Sequence, residues 1–253
     1  MQIQDFLARA SLPESVVRLL REASSVTVAR TIDDLEVLAC GSEDQTETTV
    51  AYDLPDGRHI DEVDVVRVRN GISANYREPY MRRRDPECML VADHNPSDKP
   101  HFSDRYDFDF KDLKQETFDW LASQDLAIYG FAMGQPGIGA DALAICPANA
   151  GFFAFGLGLL QGVVDLEDLD REFKAATIIY VAPPFRHTHF DGKQVVVHNR
   201  GEAHEIFSYN LYPGPSAKKG VYGALIELGE QEGWVTAHCS AVQVVTPYDN
   251  MVT

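Results

Sequence analysis

Lys218 and Lys219 stand side by side in KKGVYGALIELG, and His238 follows at the nineteenth position after Lys219. Val221, Leu225 and Leu228 recur at helical spacing, with Ser216 placed as N-cap and Gly229 as the C-terminal stop. The lysine pair then falls in the first turn of a short amphipathic helix, where outward-pointing N–H groups and the macrodipole disfavour a cation. A lysine there either meets an anion or sheds its proton and ligates a metal through nitrogen. Residues 234–245 read as a strand that carries His238, and a helix followed by its returning strand brings that imidazole back towards the lysines.

Two further groups have chemical potential. Arg82, Arg83 and Arg84 form the dense basic cluster of an otherwise acidic chain. Arginine forks bind carboxylate and phosphate in two-point geometry; read alone, the run is a solvated charge cluster paired to neighbouring acids. His187 and His189, followed by Asp191, form an H-x-H pair. On a strand both rings would face the same way, a start for a zinc site, but no third spaced ligand accompanies them and satisfied or exposed histidines are the expectation.

The elements that must position these groups alternate. Residues 2–23 read as two helical turns and a helix, with Ser11 and Glu14 as a capping box and Val16, Val17, Leu19 and Leu20 on the buried side. Asp56-Gly57 is a hairpin turn between strands at 49–54 and 58–68. Strands are expected at 126–131, 142–146, 177–182 and 194–198. Asn149 caps an apolar helix that ends near Gly162; its run at 150–160 is about half the ~20 residues of a membrane span. GQPGIGA at 134–140 is a turn, since it lacks the Lys-Ser/Thr of a phosphate loop and leads into a strand.

With 253 residues, 45% of them apolar, the chain can bury a sizeable core, and a net charge of −17 excludes a general nucleic-acid or anionic-membrane binder. Cys40, Cys88, Cys146 and Cys239 are scattered without a C-x-x-C, and the N-terminus has no basic, apolar leader, so a reducing cytoplasm is the expected location.

The lysine–histidine spacing carries a resemblance. KKG, then the histidine of HCSA, resembles the ATP-dependent phosphoenolpyruvate carboxykinases, whose WYGGEMKKG…MHCSAN segment closes the N-terminal domain and enters the nucleotide domain. Here YPGPSAKKG has one residue more between Tyr212 and the lysines and lacks the glutamate. Arg84-Asp85-Pro86-Glu87 ahead of Met89-Leu90-Val91 is similar to the family's GRSPKDK-plus-strand segment, whose arginine holds substrate, and Arg84 is the matching position. Asp98-Lys99-Pro100, with LKQETF at 113–118, resembles a segment that enters a helix in the same family. The likeness runs in order over residues 70–253.

The resemblance implies an α/β fold, a mixed β-sheet flanked by helices as in the carboxykinase N-terminal domain. That substrate-side domain would occupy residues 1–240, with 241–253 the start of a truncated nucleotide-binding domain. It implies conversion of oxaloacetate and ATP to phosphoenolpyruvate, ADP and carbon dioxide, with a divalent metal (Mn or Mg) at the phosphates. Lys219 and His238 would ligate the metal, Lys218 would neutralise the transferred phosphoryl group, and Arg84 and Tyr212 would orient substrate. No G-x-x-x-x-G-K-[ST] occurs between Met1 and Thr253. ATP therefore needs a C-terminal P-loop domain as partner, and the chain alone is expected to be inactive towards its small anionic substrate. Three alternatives stand beside this: a kinase half-site for another acceptor, a catalytically silent binding domain, and a metal hydrolase built on His187, His189 and His238. Neither nucleic acid nor membrane is an expected partner.

Overall fold

Apolar residues that run almost continuously along several strands must be covered on both faces of a sheet, and the layers follow from that requirement. The computed structural model describes residues 1–42, 44–78, 88–134, 139–235, 243–245 and 250–252. In chain order the elements begin with α1 (Ile3–Arg9), β1 (Ala10–Ser11), α2 (Glu14–Glu22), β2 (Ser25–Val28) and α3 (Ile32–Cys40). The strands β3 (Glu47–Asp53), β4 (His59–Val68), β5 (Gly71–Tyr76) and β6 (Met89–Val91) precede α4 (Phe110–Ala122). Then come β7 (Asp125–Met133), β8 (Ala140–Pro147), α5 (Gly151–Gln161), β9 (Phe173–Val181) and α6 (Phe185–Thr188). The last are β10 (Val196–Arg200), β11 (His204–Ser208), α7 (Lys219–Gln231), β12 (Gln243–Val245) and β13 (Asn250–Val252).

The central sheet is mixed, in the order β2-β7-β8-β9-β11-β10-β6, with β1 added parallel to the start of β9. β7 and β8 form an antiparallel pair, and β10 and β11 form a second; of the turn expected at 134–140, residues 135–138 lie outside the described residues. β6 lies parallel to β10 at the edge. The antiparallel trio β3-β4-β5 and the pair β12-β13 stand apart from this sheet. An α/β architecture with a mixed sheet flanked by helices is what the molecule shows.

Two apolar layers cover the sheet. On one face, Tyr129, Ala144, Ile179 and Ile206 pack with Phe153 of α5, Leu35 of α3, Val221 of α7 and Val63 of β4. On the other, Ile128, Ile145, Tyr180 and Phe207 pack with Leu113 and Phe118 of α4, Leu19 of α2 and Phe6 of α1. Neighbours such as Ile206 and Phe207 point oppositely, which is the two-residue period of a strand buried on both sides.

Several local expectations are corrected. Ser11 belongs to β1 and α2 is preceded by Pro13 with no side-chain cap, because pairing with β9 draws the chain at 10–11 out extended. Asn149 does not cap α5: its amide donates to the Ala51 carbonyl (3.2 Å) and its carbonyl accepts from the Tyr52 hydroxyl (3.1 Å), tying the helix entry to β3 instead. α3 was not anticipated, although Thr31 and Asp34 form a reciprocal capping box.

Candidate functional site

The lysine-bearing helix differs at both ends from its sequence reading. A π-helical turn, Pro213–Lys218, runs directly into α7, so Lys218 precedes the helix in the N-cap position with no side-chain cap, and Ser216 lies within the turn. Gly229 sits buried inside α7. The helix stops at Gly233, whose φ of 80° is the left-handed value that glycine accepts freely. Trp234 N–H donates to the Gly229 carbonyl (2.7 Å) and Gly233 N–H to that of Glu230 (3.1 Å), a Schellman closure. Of the strand expected at 234–245, residues 234 and 235 are irregular, Val235 is 96% exposed, and 243–245 are extended.

α7 lies over the face formed by β6, β10 and β11. Gly220, next after the lysine pair, permits the close approach: a Cβ there would stand 3.0 Å from Ile206 Cδ1 and 3.5 Å from His198 Cε1. Between helix and sheet is a cavity of about 470 Å³, lined also by the loop at 96–99. Lys219 lines it from the first turn of α7, and Lys99 lines it from that loop, its Nζ 3.0 Å from Asp98 Oδ1.

Its polar wall comes from the β10–β11 hairpin. Arg200 pairs with His204, and His198 with Ile206, so both histidines face the helix side. His198 Nδ1 lies 2.8 Å from His204 Nε2, and His204 Nδ1 lies 2.7 Å from Glu227 Oε2 on α7. The cavity is thus lined by two imidazoles and a carboxylate in close contact, beside two ammonium groups.

Arg200 fixes the loop. Its Nε and Nη2 reach both oxygens of Asp93 at 2.6–3.0 Å, its own backbone N–H adds a bond to Asp93 Oδ2 (2.9 Å), and the guanidinium also holds the Asn95 and Pro96 carbonyls. Burial pushes the Asp93 carboxyl up, but the Arg200 bonds outweigh it and hold the group below its ordinary range.

The residues singled out from sequence are dispersed. Lys219 lines the cavity; Lys218 is exposed and does not line it. Tyr212 stacks edge-on with Tyr76 (centroids 5.7 Å, 67°) and lines a different, mainly apolar cavity of about 530 Å³ with Phe152 and Phe155. Arg84, with Arg82 and Arg83, and His238 lie outside the described residues. His187 and His189 belong to the short helix α6 and its end, not to a strand. His187 Nε2 is 2.7 Å from Glu62 Oε1 and His189 Nε2 is 3.2 Å from Glu116 Oε2, so the two imidazoles are engaged by different carboxylates. Among the described residues no group of three or more His, Cys, Asp or Glu side chains is placed to hold a metal ion.

The cysteines Cys40, Cys88 and Cys146 are in no disulfide, and burial pushes the Cys146 thiol up to about 12, far from a nucleophilic thiolate. No described helix is long and apolar enough to cross a membrane. His198, His204 and Glu227 were missed from sequence, though HNRGEAH carried a signal: two short alternating stretches about a Gly-containing turn. No curated protein matches the chain. Over residues 12–253 the sequence matches the model of the family described as Domain of unknown function (DUF4914), and the chain belongs to that family.

Proposed function

We propose that the chain is the substrate-side part of a phosphoenolpyruvate-carboxykinase-like phosphotransferase and decarboxylase, binding a small anionic acid such as oxaloacetate or phosphoenolpyruvate in the cavity beneath α7. One observation supports this above the rest: Lys99 and Lys219, from two separate segments that resemble the carboxykinases, line the same cavity. Phosphoryl transfer asks a protein mainly for positioning and charge neutralisation, and ammonium groups lining one cavity supply both.

In this reading Lys219 and Lys99 hold the substrate's carboxylate or phosphate, and the His198–His204–Glu227 chain lines the space beside them. A divalent metal would add neutralisation at the phosphate oxygens; of the ligands that the resemblance implies, Lys219 is described, and it would serve the metal as the neutral amine, leaving Lys99 as the ammonium group. In the proposed reaction ATP would be held by a separate P-loop domain, since residues 1–253 contain no P-loop sequence.

Titration calorimetry of phosphoenolpyruvate into the chain tests the reading. Binding is expected to weaken about tenfold or more in Lys219→Ala and in Lys99→Ala, the loss of one charged hydrogen bond each. The chain alone is expected to form no phosphoenolpyruvate from oxaloacetate and ATP. Unchanged affinity in both folded variants would overturn the assignment of this cavity.

A further inference from the structure

A cavity of about 550 Å³ opens where α6 and α4 meet the β3–β4 turn, and it shares no lining residue with the Lys219 cavity. Its walls are aromatic. Trp120 and Phe185 meet edge to face (centroids 6.0 Å, 82°), and the His189 ring stacks on Phe185 (5.3 Å, 27°). Glu116 and Asp119, one turn apart on the exposed side of α4, border the opening.

His187 lines the same space and is 8% exposed, its orientation set by a buried ion pair. Glu62 and Arg186, each 1% exposed, are joined by two bonds of 3.0 and 3.1 Å, and Glu62 Oε1 also meets His187 Nε2. The imidazole nitrogen facing a carboxylate carries the proton, so in the neutral ring Nδ1 is an acceptor. Arg58, the one lysine or arginine among the described lining residues, is already tied to Asp56 through Nε (2.8 Å) and Nη2 (2.7 Å).

The surfaces on offer are therefore π faces, acceptors and the remaining lone pairs of two carboxylates, Glu116 already 3.2 Å from His189 Nε2 and Asp119 already accepting from the Gln115 amide (2.7 Å). An anion is repelled by Glu116 and Asp119. A neutral apolar molecule satisfies the rings and leaves the carboxylates unused. A cation with N–H donors uses both, since ring faces and carboxylates each attract positive charge. We propose that this cavity binds an organic cation, a primary ammonium or guanidinium group carried on an apolar body. The volume is in the range of small-molecule sites.

The test uses phenethylamine, with 2-phenylethanol as the neutral match, titrated calorimetrically into the whole chain and into a Glu116→Gln, Asp119→Asn double variant. Both substituted positions are exposed, so the fold is expected to persist, as circular dichroism checks. Trp120 and Trp234 are the chain's tryptophans, so fluorescence of a Trp234→Phe variant reports on Trp120 alone. The amine is expected to bind at least about tenfold more tightly than the alcohol, to perturb Trp120 emission, and to lose that preference in the double variant. Equal affinity for amine and alcohol, an unchanged preference in the folded double variant, or no binding at millimolar amine would each overturn the proposal. Phosphoenolpyruvate titration, which reads the other cavity, is expected to be unaffected by the double substitution.

Discussion

Asp93 is where charge, burial and loop geometry meet. Its side chain is 10% exposed, and it receives the Arg200 fork, the Arg200 backbone N–H and the Asn95 backbone N–H. A carboxyl held below its ordinary range in the folded state adds stability that is complete above the unfolded value, about pH 4, and is lost as pH falls through the folded value. Asp93→Asn is expected to cost roughly 1.5–3 kcal/mol at neutral pH, the worth of a hydrogen-bonded charge. Urea unfolding at a series of pH values should show that difference shrinking as pH drops below about 4. A difference that stays constant down to strong acid would assign the cost to shape rather than charge.

Between elements, the contact of α3 with α5 depends on the absence of a side chain. A Cβ on Gly151 would stand 2.2 Å from the Leu38 carbonyl oxygen and 2.4 Å from its carbon, atoms of backbone that cannot turn aside. Helix propensity alone favours alanine over glycine by about 1 kcal/mol. Overpacking opposes it, and Gly151→Ala is expected to destabilise by about 1–3 kcal/mol, read as a lower urea midpoint with unchanged slope. A rise in stability would mean that α3 and α5 slide apart without loss. Gly220 plays the corresponding part between α7 and β11, against side-chain atoms that yield more readily.

At the scale of the molecule, both layers depend on the strands that the sheet shares. Phe207 of β11 is fully buried, stacked on Tyr180 (4.6 Å, 25°) and packed edge to face with Phe110 (5.2 Å, 81°), while the adjacent Ile206 faces the α7 layer. Beside it Lys114 reaches Glu205, which also accepts from the Tyr180 hydroxyl and the Asn199 amide, so this buried carboxylate has its charge and lone pairs engaged. Phe207→Ala is expected to cost about 3–5 kcal/mol in denaturant unfolding and, through β11, to loosen the hairpin that presents His198 and His204. A loss below 1 kcal/mol would show that the α4 layer collapses to fill the space.

Local sequence was enough for the β3–β4 turn at Asp56-Gly57, the strands around residues 126–131, 142–146 and 177–182, and the buried apolar helix ending at Gly162, since each depends on periodicity or on a residue with a special backbone. Helix ends were less legible, because partners distant in sequence take over: Asn149 is claimed by β3, and the chain at Ser11 by β9. Lys219 was singled out by type and spacing alone. Its surroundings were not, because Lys99, His198, Arg200, His204 and Glu227 are brought together by strand register and by the seat of α7 on the sheet. Which strands pair, and so which side chains share a face, is decided by burying both layers at once. That condition acts on the whole chain and leaves no mark in any short window of it.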